Sequence, residues 1–433
     1  MIQTNKELTT DLILELVKDY KTNEVPRFEM LQNYYDGKTA ITERKMESGK
    51  PNNKTVLNYP SYIVDMIQGY LLGIPIAYTS QEDEFLDELQ DIFNINDEMD
   101  ENSELAKMMG VNGIAYELVF ADEDANVRFN EIDPKSAFLV YDTKIIPEPR
   151  FGVRFYEVDE VEYIEIYTDE LIITYKEIEN KLTEVDVQEH YFGDVPLVPF
   201  HNNKGNKADF EKVISLIDSM EVAMSNSIND LEYFSDAYMY LVNMMGTDKE
   251  DIRDIRENKV ILLEEAGEAG FLVKPSNNQD SEDVKNRLDN MIHKFAMIPD
   301  MSDENFAANA SGVAMAYKHF GLDQVVANKE RKFQTGIYKR LELIANFLNT
   351  KVGTDKYEYD EIKLSWTRNK PINEKENVEI AQTLKGITSE QTALAYLTMV
   401  EDPHDEMERI ESERDAYTNY FDIEDVEEVE DDE

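Results

Sequence analysis

Apolar residues recur along most of this chain at helical spacing, with one stretch of strict alternation. Leu8, Leu12, Ile13, Leu16, Val17 and Tyr20 share one helical face. A second short helix is predicted from Pro26, suited to a first helical position, to Tyr35, where Asp36-Gly37 ends it. Asn58 to Leu72 reads as an apolar helix, broken by Gly73-Ile74-Pro75 and followed by a short strand through Tyr78. Helical patterns follow at 82–93 and 97–111. From Ile114 the period changes to two: Ala115 to Phe120 and Val127 to Ile132 flank an Asp-Glu-Asp-Ala-Asn turn, and strand-like runs continue to about residue 200.

Asp209 to Asn243 places Phe210, Ile214, Ile217, Met220, Met224, Ile228, Leu231, Phe234, Tyr238 and Leu241 at steps of three and four. This predicts a single helix of roughly 50 Å at 1.5 Å per residue. Lys259 to Leu263 and Phe271 to Lys274 read as two strands of a small unit spanning 246–276. A helix at 282–298 starts after Ser281, buries Val284, Leu288, Ile292 and Phe295, and stops at Pro299. Pro299 to Gly312 is a polar loop. Val313 to Asn349 is again a long helix, expected to bend near Gly321 or Gly336, and Ile362, Leu364 and Trp366 mark a strand. Helices at 374–385 and 389–400 are introduced by Asn373 with Glu376 and by Thr388 with Gln391, in capping-box form. The expected class is α+β, mostly helical.

Charge narrows the functions. The 433 residues carry 92 Asp and Glu against 43 Lys and Arg, a formal charge of −49, so a surface that grips nucleic acid by neutralising phosphates is a poor first reading. Without cysteine, disulfides, thiolate zinc sites and thiol catalysis are excluded. No apolar run is long enough to cross a bilayer, and the first twenty residues read as amphipathic rather than as a secretory signal, so a soluble intracellular product is expected. From Phe421 onward nine of thirteen residues are acidic, a composition that predicts disorder.

Candidate chemistry is sparse. Gly37-Lys38-Thr39 ends like a phosphate-binding loop, but Gln32 stands at the first glycine position and no strand precedes it. Asp122, Asp124 and Asn126 have EF-hand spacing, yet Val127 replaces the required glycine, so a hairpin turn is the better reading. His190, His201, His293, His319 and His404 form no metal-ligand spacing, and no nucleophile elbow is present. The expectation is a non-enzyme with no catalytic, metal or cofactor site.

Four stretches carry a resemblance. They are Tyr34-Tyr35-Asp36-Gly37-Lys38 with Arg44-Lys45; Pro51-Asn52-Asn53-Lys54 to Asn58 with Gly69-Tyr70 and Gly73-Ile74-Pro75; Ile298-Pro299-Asp300-Met301-Ser302-Asp303-Glu304-Asn305-Phe306 to Ser311-Gly312-Val313-Ala314; and Trp366-Thr367-Arg368-Asn369 with Val400-Glu401-Asp402-Pro403. In this order the chain resembles the portal proteins of long-tailed double-stranded DNA phages. Trp366 stands where the family pattern has Phe, and Ala307-Ala308 where a glycine is common.

The resemblance implies a wing at 1–207 and 313–370, stem helices at 208–245 and 277–298, a small α/β clip at 246–276 and a tunnel loop at 299–312. A helical crown at 371–418 and an acidic tail at 419–433 complete it. It further implies a closed ring, typically a dodecamer, around a channel for packaged and ejected double-stranded DNA. The implied partners are the terminase ATPase, head-completion or adaptor proteins, and major capsid and scaffolding proteins, with no membrane; the implied place is the virion's capsid vertex, with host cytoplasm during assembly. Ser302, Asp303, Glu304, Asn305, Asn309, Ser311 and Gly312 are then the DNA-facing candidates. Arg253, Arg256, Lys259, Glu264 and Glu265 are the clip's partner-docking candidates. An acidic DNA-mimicking or chaperone-like binding protein is the alternative, since strong negative charge attracts basic partners.

Overall fold

The computed structural model describes residues 2–48, 50–80, 83–235, 238–242, 268–272, 278–301, 312–354, 356–370, 374–397 and, in part, 400–414. The chain divides into one unit of residues 1–300 and 319–369 and a second of 301–318 and 370–433.

In the first unit, α1 (Thr10–Asn23) begins where the Thr9 hydroxyl accepts from the Leu12 amide at 3.3 Å. The following helix α2 (Val25–Tyr35) has Pro26 in its first turn, and α3 (Tyr59–Leu72) has Pro60 there. Strand β1 (Ile2–Gln3) precedes them and β2 (Ala77–Thr79) follows. Next come α4 (Asp83–Asn96) and α5 (Glu98–Asn112), the latter ended by Gly113 at φ 86°.

The alternating region forms β3 (Ile114–Ala121), β4 (Val127–Ile132), β5 (Ala137–Tyr141), β6 (Pro149–Val158), β7 (Val161–Tyr167), β8 (Leu171–Ile178), β9 (Lys181–Glu189) and β10 (Leu197–His201). One sheet runs β1-β5-β6-β7-β8-β9, antiparallel except for the β1–β5 pair; another runs β10-β3-β4. The turn between β3 and β4 is the hairpin read from the sequence. Asp122 Oδ1 accepts the amides of Asp124 and Asn126 at 3.0 and 2.9 Å, and Ala125 takes φ 58°.

Helix α6 (Ile214–Ser235) is shorter than the pattern predicts. Tyr238–Val242 is a strand, β11, paired antiparallel with β12 (Glu268–Leu272). Its Tyr-Met-Tyr-Leu-Val run suits either period, and the cross-strand partner decides. The predicted strand at 259–263 lies outside the described residues. Helix α7 (Asn278–Ala296) starts before Ser281, whose hydroxyl meets that of Ser227 at 3.3 Å instead of capping. Helix α8 (Gly312–Val352) runs 41 residues, and β13 (Lys363–Ser365) pairs with β2.

Three cores result. Helices α1 and α2 pack Ile13, Val17, Tyr20 and Phe28 on the large sheet. A second core joins Leu89, Leu105 and Met109 to Phe129, Phe200 and the α8 residues Phe333, Ile337 and Leu341. The third holds Leu31, Ile63, Ile67, Ile217, Met220, Ile292 and Val326 between α2, α3, α6, α7 and α8. In the second unit, α9 (Glu374–Leu384) precedes α10 (Glu390–Leu394), whose cap is Ser389 accepting from the Thr392 amide at 3.2 Å. Thr388 was expected there; the neighbouring hydroxyl holds the extended backbone that a cap requires.

Candidate functional site

The all-helical core places α6 beside a segment, residues 37–58, that has little regular structure and so must find partners for its backbone amides elsewhere. Polar side chains spaced four apart on α6 supply them. Glu221 accepts from the Leu57 amide at 2.9 Å and from the Thr39 hydroxyl. Ser225 accepts from the Thr55 amide at 2.9 Å, and Asn229 from the Asn53 amide and side chain at 2.7 and 2.9 Å. Arg44 reaches Asn226 at 2.9 Å. Burial holds the Glu221 carboxyl above its ordinary range even though both hydrogen bonds favour ionisation.

This inverts part of the sequence reading. Glu221 and Ser225 are wholly buried, whereas Leu231, assigned to the apolar face, is 71% exposed. Polar residues at helical spacing look like a solvated face until the segment they bind is known.

Two of the four characteristic stretches therefore clasp α6: Gly37 takes φ 76°, and a Cβ there would sit 3.0 Å from Asn58 Oδ1. A second convergence joins stretches almost 300 residues apart. The Asn369 amide donates to the Tyr70 carbonyl at 3.3 Å, and Gly73 leaves room for the Asn369 side chain, 2.4 Å from where a Cβ would lie. Trp366 meets Phe333 edge-on at 6.0 Å, and Arg368 pairs with Glu330.

Helix α7 packs along α6 and α3. Tyr59 donates to Asp289, and burial, then this bond, pushes its phenol above its ordinary range. Tyr62 donates to the Pro299 carbonyl at 3.2 Å, and Tyr70 to Asp323 at 2.6 Å. Beyond Ala296, Met297 adopts φ 61° and the Ile298 amide returns to the His293 carbonyl at 3.2 Å. These contacts bring together Asp289, His293 and Asp300, with one ligand atom from each lying within 4.8 Å of the others. Sequence reasoning missed this group; its only trace was the four-residue spacing of Asp289 and His293 on a helix.

Of the residues singled out from the sequence, Ser302, Asp303, Glu304, Asn305, Asn309 and Ser311 lie outside the described residues, as do Arg253, Arg256, Lys259, Glu264 and Glu265. Gly312 opens α8. The interior of α7 departs from expectation: Ile292 is buried, but Val284 and Phe295 are 53% and 51% exposed. This helix carries two apolar stripes, and packing against α6 selects the one containing Ile292 and Ala296. Among the described residues no helix is long and apolar enough to cross a membrane.

Comparison with known proteins gives consistent matches. The family model described as "Phage portal protein, SPP1 Gp6-like" matches residues 14–420. The portal protein of Bacillus phage SPP1 is 25% identical over 454 aligned residues, covering 96% of this chain and 89% of that one. The portal protein of Clostridium phage phiCD119 is 25% identical, covering 87% and 90%. Among solved structures, a chain from the neck of a native GTA particle, computed with C12 symmetry, matches with a TM-score of 0.49 at 10% identity, covering 79% and 90%.

Proposed function

Because this chain belongs to the SPP1 Gp6-like family of phage portal proteins, we propose that it assembles into a closed ring, a dodecamer, at one capsid vertex. Double-stranded DNA passes through that ring during packaging and ejection. A portal function is what the family supports, and an acidic DNA-mimicking or chaperone-like role is not favoured. The family is a structural one, so in this reading the energy for packaging comes from a docked terminase ATPase, which head-completion proteins later replace.

The observation that carries self-association is the outer stripe of α7. Val284, Met291 and Phe295 recur at steps of seven and four, so they share one face, and all three are exposed. Contiguous apolar surface of this kind on a helix calls for a partner, and a head-to-tail ring presents a different face of the next subunit to each such stripe.

Within the ring, residues 1–207 and 313–370 form the wing, α6 and α7 the stem, and 371–418 the crown. The β11–β12 ladder favours drawing the clip from Tyr238 to just before Asn278, wider than the 246–276 read from the sequence. Residues 299–312 form the tunnel loop, whose Asn and Ser side chains make weak, sequence-indifferent phosphate contacts. The charge of −49 on each chain repels a duplex with a negative charge about every 1.7 Å, which favours sliding over gripping.

Negative-stain electron microscopy with mass determination tests the reading. Rings with a central channel are expected; a monomer across salt and protein concentrations would remove it. Deleting Asn305 to Ala310 is expected to leave rings intact while impairing packaging, and wild-type packaging by such rings would take the loop out of the mechanism.

A further inference from the structure

We propose that Asp289, His293 and Asp300 bind a single divalent transition-metal ion of the Zn²⁺ class. Helix α7 and the turn after it supply the three ligands, and α3 supports one of them. Asp289 and His293 are one turn apart on α7, Asp300 follows the left-handed turn at Met297, and Tyr59 on α3 donates to Asp289. Their ligand atoms fall within 4.8 Å of one another.

The geometry suits a shared cation better than a simple ion pair. His293 Nε2 lies 3.6 Å from Asp289 Oδ1, beyond hydrogen-bonding distance. That separation is near the edge, about 3.4 Å, of a tetrahedron with metal–ligand bonds of about 2.1 Å. His293 Nδ1 is buried and has no hydrogen-bond partner among the described residues. The imidazole is what separates this group from the carboxylate clusters that 92 acidic residues produce by crowding.

Imidazole with two carboxylates selects Zn²⁺ and its neighbours over Mg²⁺ or Ca²⁺, which prefer all-oxygen shells. Two carboxylates balance a divalent charge, and the last turn of α7 adds the negative end of its dipole. Tyr59 fills the supporting role that outer-shell hydrogen bonds play at metal sites, fixing the orientation of a ligand. A cation held here would tie the end of α7 to residue 300, immediately before residues 302–311.

The test uses the full chain, stripped with chelator and titrated with Co²⁺ in excess Mg²⁺, which occupies non-specific carboxylate sites. Expected are visible d–d absorption saturating at one equivalent per chain and its loss when Zn²⁺ is added. Tyr59→Phe should weaken binding about 10- to 100-fold, and His293→Gln and Asp300→Asn should abolish the saturable signal, while His190→Gln leaves it unchanged. A wild-type chain without such a signal overturns the proposal. So does a signal that survives both ligand variants. Should His293→Gln misfold by circular dichroism, Asp300→Asn, outside the helix, decides. The readout does not depend on ring formation, so this proposal and the portal reading fail separately.

Discussion

Arg340 has no exposed surface, yet its guanidinium is placed for pairing. Nε donates to Glu117 at 2.8 Å, a second nitrogen reaches the other carboxylate oxygen, and Nη1 lies 3.5 Å from Glu98. Its carbon centre stacks 4.4 Å from the Phe129 ring. Arg340→Ala strands a buried carboxylate and is expected to cost about 3–5 kcal/mol in denaturant unfolding. The volume-matched Arg340→Met/Glu117→Leu double variant should lose less, because Glu117 is no longer left as an orphaned charge and Glu98, although it loses Arg340, keeps its bonds from Tyr78 and Asn102. Nearby, burial and then the Glu131 carboxylate push Glu101 up to about 8. A carboxyl raised on folding contributes stability that is complete below its ordinary range and is lost as pH rises through the folded value. Glu101→Gln keeps the neutral form at every pH, so its melting temperature should gain on wild type between about pH 5 and pH 8.5. An unchanged difference across that window would show that folding does not raise the Glu101 carboxyl.

At the scale of elements, helix α8 shows how a local preference yields to packing. Gly336 costs helix propensity, about 1 kcal/mol against alanine, but a Cβ there would lie 2.5 Å from the Phe200 ring, which also packs at a tilt on Phe333, with centroids 4.9 Å apart. Gly336→Ala is therefore expected to destabilise by about 1–3 kcal/mol through overpacking, as read by thermal or denaturant unfolding; a stabilised variant would mean that Phe200 turns aside at little cost. Helix α6 makes the complementary point. Its existence follows from the periodicity of Ile214, Ile217 and Met220, but the inward role of Glu221, Ser225 and Asn229 depends on the 37–58 segment lying against them. The end of α6 was equally illegible, since Tyr238–Val242 satisfies a helical period and becomes a strand only beside β12.

For the whole molecule, the outer stripe of α7 is one exposed apolar feature that a lone subunit leaves unexplained. Val284→Asp/Phe295→Asp alters two exposed side chains, so the far-UV spectrum should not change, while light scattering should show rings shifted to monomers. Rings that survive would exclude this stripe from the subunit contact. Charge acts at the same scale: −49 on every chain opposes assembly at low salt, and screening beyond a Debye length of about 10 Å at 0.1 M relieves it.

Elements with one strong local signal were settled by the sequence alone. These include α1 to α5, the β3–β4 hairpin, the α+β class and the order of segments that resembles the portal family, because periodicity, proline and turn chemistry act within a few residues. The exposure of Val284 and Phe295, the strand at β11, the polar clasp on α6 and the Asp289–His293–Asp300 group were decided by tertiary structure. Each depends on which surface arrives from a distant part of the chain, and a side chain's pattern along a helix states its face without stating what that face will meet.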